Sequence, residues 1–421
     1  MIEVLRSTWP LFVGIAFSTL SYGLQVPLVP VRAFDEGFDT SITGLIMAGY
    51  FFGVLLGAIV TPRLIQHVGH TKVFAALASI ASGTPLLYTV HTDPTFWILL
   101  RVVTGLCMGA LFIVAETWLN DRCTNQTRGK VLNLYFMIML CSAGLGALML
   151  NLADPRGVEL FILSSVLVSF GIVPILLTAK PAPSYRAPKR LGVVALARKA
   201  PLGLGAFAIW GMADGTLMAS GPIYADKAGL SNAEIATFMA VIYLGCLIFM
   251  WPIGQLSDRL NRPRFLLAVS LAAAAVAVVC ALTPPQFVPL LYGLTALLAG
   301  LSLAHYGLCL AVANDQLEPK EMVGAGATLF LCYGVGTVIG PILATELMEA
   351  WRAAGFFAFL AGVHLLVVLY GLALMLLGAV GGARRQPAVA VPSLAGQLAT
   401  ESALESAREA DRGQDDKPAG A

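Results

Sequence analysis

Among the ionisable side chains inside long apolar runs are Arg101, Glu116, Asp214 and His305. A charge in such a setting costs at least about 2.5 kcal/mol unless it is paired or wetted, so each one asks for a reason. Asp214 lies in Gly211-Met-Ala-Asp214-Gly215, about 20 Å into its run at about 1.5 Å per residue. An acid at that depth, in a stretch able to break a helix, suits a proton carrier or a contact to a bound solute; a packed acid bonded to backbone is the plainer alternative. Arg101 and Glu116 are fifteen residues apart. On one helix they sit about 60° apart and about 22 Å along the axis, so both can face one cavity from different depths. Arg101 suits an anionic group, the neutralisation of Asp214, or a packing ion pair. Glu116 lies near the polar end of its run, where Arg122 or Arg128 is within reach as a gate partner, with a proton site as the alternative. His305 shares a helical stripe with Ser302 and Cys309, and either titrates or is satisfied locally. Tyr22, Gln25 and Trp210 complete this candidate set.

Other chemistries find no footing. His67 and His70 have no further ligands nearby, so they make no metal site. The seven cysteines form no CxxC pair and imply neither a disulfide framework nor zinc. GxxxxGK[ST], HExxH and GxSxG are all missing from the chain, which removes support for ATP-driven work and for hydrolysis. The expectation is a protein that is not an enzyme and needs no cofactor. With 26 Lys+Arg against 24 Asp+Glu there is no basic excess for nucleic acid.

The elements that must position these residues follow from composition. Of the 421 residues, 58% are hydrophobic and 12% charged, about half the charged share of a soluble domain. Mean hydropathy is +0.81. Such a chain belongs in a bilayer. Twelve apolar runs are long enough to cross one: 9–31, 41–62, 72–90, 95–118, 130–152, 158–178, 201–224, 234–253, 264–283, 287–312, 323–345 and 353–379. The first is longer than a signal-peptide core and reads as a retained span. With the N-terminus inside, the inner segments carry 21 of the Lys and Arg residues and the outer loops four, Arg32, Arg156, Lys227 and Arg352. By the positive-inside rule both termini are cytoplasmic, and the acceptor-like Asn125-Gln-Thr127 is internal and unglycosylated.

The chain also repeats. A shift of 192 places Gly23 on Gly215, Pro30 on Pro222, Gly37 on Gly229, Met47-Ala48 on Met239-Ala240 and Gly53 on Gly245, and makes Tyr22 the mate of Asp214. This predicts six-span bundles at 1–178 and 201–380, a cytoplasmic loop at 179–200 and a disordered cytoplasmic tail at 381–421 with a short helix near 393–410. Small residues at four-residue spacing (Gly49, Gly53 and Gly57; Gly105 and Gly109; Gly336 and Gly340) argue for close helix packing.

After span eight comes Gly254-Gln-Leu-Ser-Asp258-Arg259-Leu-Asn-Arg262-Pro-Arg264. This resembles the Gly-x-Leu-x-Asp-Arg-x-Gly-Arg-Arg loop of the major facilitator superfamily, in the position the second half should carry it. The matching loop after span two, Pro62 to Lys72, has Gln66 for the acid and His67 for the Arg, a degenerate copy. Arg101-Val-Val-Thr-Gly105 is similar to the family's Arg-x-x-x-Gly element, and Glu116 to Lys130 is family-like. The Gly-Pro antiporter element of span five is missing; Gly340-Pro341 sits in span eleven. The resemblance implies an all-α membrane protein with 12 transmembrane helices in two pseudo-symmetric six-helix bundles. It also implies that Asp258, with Arg259, meets the start of span five at Arg128 as a cytoplasmic gate, joined by Glu116. The function expected is a monomeric inner-membrane secondary transporter, proton-coupled and by family analogy an exporter, whose partners are a small organic molecule, protons and the bilayer. A non-transporting sensor or scaffold of the same fold is the alternative, which has no need of Asp214.

Overall fold

The computed structural model describes residues 2–123, 127–177 and 191–379. Among them are thirteen α-helices, one 3-10 turn and no strand. The first six helices are α1 (Ile2–Asp35), α2 (Thr40–Val68), α3 (His70–Leu87), α4 (Pro94–Arg122), α5 (Arg128–Leu148, continued by the turn Met149–Leu152) and α6 (Glu159–Leu176). The short α7 (Val193–Lys199) precedes α8 (Pro201–Lys227), α9 (Asn232–Arg259), α10 (Arg262–Leu282), α11 (Val288–Asn314), α12 (Pro319–Trp351) and α13 (Ala354–Leu376).

Every expected span has its helix, and most helices outrun their apolar run because capped polar turns extend them. The Asp39 carboxylate accepts from the Ile42 N–H at 2.7 Å ahead of α2, and Ser231 and Glu234 cap one another ahead of α9. These caps are 192 residues apart. So are Gly37 and Gly229, whose φ angles of +83° and +81° make the same turn before each cap. Among the described residues eleven helices are long and apolar enough to cross a membrane. The helix α3 is not among them, because its 18 residues open with His70 and Lys72 and carry Ser79, Ser82 and Thr84. The outward faces are apolar: Ile80, Phe170, Leu271 and Leu369 are each more than half exposed, a surface suited to lipid.

The packing has the same repeat. In the first half α1 lies on α5 and α6, α2 on α4, and α3 on α4 and α6. In the second, α8 lies on α12 and α13, α9 on α11, and α10 on α11 and α13. Across the two sets α2 packs on α12 and α5 on α9. Glycines at repeat-related places allow the backbones to touch. A methyl group at Gly53 would overlap the Val102 carbonyl, and one at Gly245 the Ala296 carbonyl.

The structure corrects one local expectation. The Gly211–Gly215 stretch does not break its helix; α8 is continuous from Pro201 to Lys227. Its glycines press α8 onto the α12 backbone at Tyr333 and Thr337, so they serve contact instead. Of the central loop, α7 rests on α8 and α12, and Lys199 pairs with Glu321 at 2.5 Å. Residues 179–190 of that loop, the expected tail and Asn125 lie outside the described residues.

Candidate functional site

Between the two sets of helices lies a cavity of about 1080 Å³. Helices α1, α2, α4 and α5 supply one wall and α8, α9, α11 and α12 the other. It runs from Asp214 to Asp258, whose side chain is 53% exposed at the α9–α10 turn, so it reaches solvent at that end. The opposite end is shut by direct packing of the halves. Gly44 of α2 sits so close to Thr345 of α12 that an added methyl would lie 2.8 Å from the Thr345 Cβ. Beside them Lys227 of α8 pairs with Glu349 of α12 at 3.3 Å.

Asp214 lies deep in this cavity, 8% exposed. Its Oδ2 accepts from the Tyr333 hydroxyl at 2.6 Å, a short, charge-assisted geometry. The described residues offer Oδ1 no hydrogen bond. Tyr333 in turn stacks on Trp210 and on Phe207, each with ring centroids 5.2 Å apart. The Trp210 indole N–H donates to the Ser302 Oγ at 3.1 Å, which fixes the ring plane. Tyr22, the repeat mate of Asp214, lines the facing wall with its ring 5.0 Å from Tyr50. Glu116 lines the cavity nearer its open end, beside Tyr135 and Tyr306. Of the sequence candidates, Asp214, Trp210, Tyr22, Glu116 and Asp258 thus meet around one space.

Three others are placed elsewhere. Arg101 is 1% exposed and forms no ion pair with Asp214 among the described residues. Its Nη2 donates to the Met47 Sδ at 3.0 Å, and its guanidinium stands 5.4 Å from the centre of the Tyr50 ring, so it packs on α2. The reason is helix phase. Arg101, Gly105 and Gly109 share one face of α4, and the glycines hold that face on the α2 backbone at Tyr50 and Val54. Gln25 is spent on packing, donating to the Ser21 and Ser164 hydroxyls at 3.2 and 3.0 Å and so tying α1 to α6. His305 is tucked behind Trp210; its Nε2 shares a 2.8 Å hydrogen bond with Ser270 and its ring lies 5.0 Å from His364.

At the open end the pairing differs from the expected one. Asp258 meets Arg262 at 3.1 Å, and Arg262 meets Asp315 at 2.6 Å, all within the second half. Arg128 forms no ion pair among the described residues, and Arg259 is exposed in the last turn of α9. No ion pair joins Asp258 to Arg128 among the described residues.

Sequence reasoning missed Tyr333 and Asp315. Gly336 and Gly340 abut α8 at Ala208 and Met212, just as Gly211 and Gly215 abut α12. Matching those two spacings would have placed α12 against Asp214 and flagged the hydroxyl three residues before Gly336. Asp315 had a signal too, since Asn314-Asp315 closes α11 as Asn120-Asp121 closes α4.

The comparisons agree with this architecture. The family model described as Major Facilitator Superfamily matches residues 11–306 and 202–408. The MFS-type transporter YcaD of Escherichia fergusonii is 26% identical over 366 residues, covering 86% of this chain and 94% of the relative. Its counterpart from Salmonella typhimurium aligns with the same identity and coverage. Among solved structures, the nucleoside transporter NupG superimposes with a TM-score of 0.73 at 14% identity, over 87% of this chain and 98% of that one. A bacterial homologue of the human lysosomal transporter Spinster, in an inward-facing and unoccupied conformation, gives 0.69 at 14% identity over 96% and 98%.

Proposed function

The chain belongs to the major facilitator superfamily and is a multi-span membrane transporter, not an enzyme, and we propose that it moves a small organic solute by alternating access, coupled to protons through Asp214. The observation that carries the proposal is the cavity open at one end only, with a carboxylate at its depth and the two halves in direct contact beyond it. Rocking of the halves about that depth exchanges the open and shut ends.

In this reading α3 is the twelfth span, in the place α10 occupies in the second half. Residues 1–178 and 201–380 are the two moving bundles, joined by the loop at 179–200. The positive-inside bias puts both termini and the α9–α10 turn in the cytoplasm, in the inner membrane of a bacterium. The open end then faces inward. Asp258, Arg259, Glu116 and Arg128 form the gate that closes when the inner ends meet. One chain contains the whole cavity, so a monomer suffices. A single carboxylate that holds either a proton or the solute makes the two mutually exclusive; with protons driven inward, that exchange runs as export.

A disulfide across the shut end tests the rocking. In a background lacking the native cysteines, Gly44→Cys with Thr345→Cys puts the two Cβ atoms within about 1 Å of disulfide spacing. Oxidation should stop transport in proteoliposomes and reduction should restore it. Full-speed transport with the crosslink formed would refute alternating access at this seam.

A further inference from the structure

The lining of the cavity has a consistent chemical character. Four carboxylates reach it, Glu116, Asp214, Asp258 and Asp315, against one guanidinium, Arg262. Among the described residues no Lys or His lines it. Arg262 is already committed to Asp258 and Asp315, so the deep half of the cavity is left with an unbalanced acid at Asp214. Arg101 is not among the lining residues; its guanidinium stands 5.4 Å from the centre of the Tyr50 ring.

The walls are aromatic. Ten Phe, Tyr and Trp side chains line the space. Trp210 and Tyr333 stand as neighbouring, nearly parallel rings beside the Asp214 carboxylate, with planes 22° apart. The Tyr243 hydroxyl, on a residue 4% exposed at the same cavity, faces the Tyr22 hydroxyl across the two halves. Aromatic faces attract cations through the ring quadrupole, best of all Trp, and more strongly where water is excluded. A carboxylate with one oxygen unengaged supplies the counter-charge. At about 1080 Å³ the cavity is at the upper end of ligand pockets, which run to roughly 1,000 Å³, so it has room for a bulky solute.

We propose that the solute is a lipophilic organic cation, seated with its charge between Asp214 and the Trp210–Tyr333 wall and its apolar body against the remaining aromatic lining. This deepens the transport reading and rests on the same cavity. An anion would meet four carboxylates on a wall whose one lining guanidinium, Arg262, is already paired, and a strongly polar neutral solute would leave most of its hydrogen bonds unmade there.

The test uses two ions of nearly the same shape and opposite charge, tetraphenylphosphonium and tetraphenylborate, in equilibrium binding to the purified full chain in detergent. Labelled tetraphenylphosphonium should bind saturably, and tetraphenylborate should fail to compete. Asp214→Asn should weaken the cation about ten- to a hundredfold, as expected for loss of a desolvated charge partner. Asp214→Glu, which keeps the charge, should stay within a few-fold of the native chain. Should Asp214→Asn not fold, as judged by its thermal transition, the discrimination between the two ions on the native chain decides the matter. Equal or tighter tetraphenylborate binding, no saturable cation binding, or unchanged affinity in folded Asp214→Asn would overturn the proposal. The two readings fail separately. Saturable cation binding without accumulation in proteoliposomes counts against transport alone; gradient-driven accumulation of a neutral or anionic solute without cation binding counts against the cation alone.

Discussion

Replacing Tyr333 with phenylalanine removes one oxygen atom from the site and leaves its frame in place. The hydroxyl donates to Asp214 at 2.6 Å. A hydrogen bond to a charged group contributes about 1.5–3 kcal/mol, and about 1.4 kcal/mol corresponds to tenfold. Whichever step of turnover requires ionised Asp214 should therefore slow or weaken about ten- to a hundredfold. The phenylalanine ring keeps the stacking on Trp210 and Phe207 at 5.2 Å, so the thermal transition should move little. In an Asp214→Asn background the same change removes only a neutral hydrogen bond, of about 0.5–1.5 kcal/mol. A double-mutant cycle should then give a coupling on the order of 1 kcal/mol or more between the two positions. The assay is the initial rate of tetraphenylphosphonium movement in proteoliposomes with an imposed pH gradient, read beside equilibrium binding of the same ion. Transport within twofold of the native chain, or an equal penalty with and without the Asp214 carboxylate, would refute the role given to this hydrogen bond.

Cysteine-accessibility labelling should find residues 181–199 and the tail on the cytoplasmic side and residues 226–232 outside; an external central loop would sink the parallel repeat with both termini inside. Asp258→Asn breaks an ion pair that is exposed on the acid's side and worth about 0–1 kcal/mol, so stability should hold. Transport rate should fall more than solute affinity, and more than in Gln66→Ala, which removes no charge; a pure affinity loss, or equal effects, would argue against the gate. Gly245→Ala forces a methyl onto the Ala296 carbonyl and should cost about 1–3 kcal/mol, read as a lower thermal transition in detergent. Gly83→Ala meets open space on α3 and should be neutral or slightly stabilising, and a matching loss there would remove the packing argument.

The sequence by itself determined most of the architecture. A 20-residue apolar run has few alternatives in a bilayer, because every backbone N–H and C=O must be bonded within the segment. Helix starts were legible in Asp39, Asp93 and Ser231, each a capping side chain. The 192-residue shift carried over into space, in paired turns at Gly37 and Gly229 and paired contacts at Gly53 and Gly245. Glycine and proline fix backbone shape, so their repetition survives where other identities have drifted.

What only the tertiary structure decided was which way each buried polar group faces. Depth along a helix is read from residue number, but facing depends on helix rotation, which neighbouring backbones set. Arg101 and Glu116 lie on one helix, yet Glu116 reaches the cavity while the glycine face of α4 turns Arg101 onto α2. Asp214 and Tyr333 are 119 residues apart and meet only because Gly211, Gly215, Gly336 and Gly340 bring α8 and α12 into contact. At the end of α9 packing likewise chose the partner, since Asp258 pairs with Arg262 within its own half. Local chemistry placed the charged groups at their depths; the rotation and separation of packed helices chose their partners.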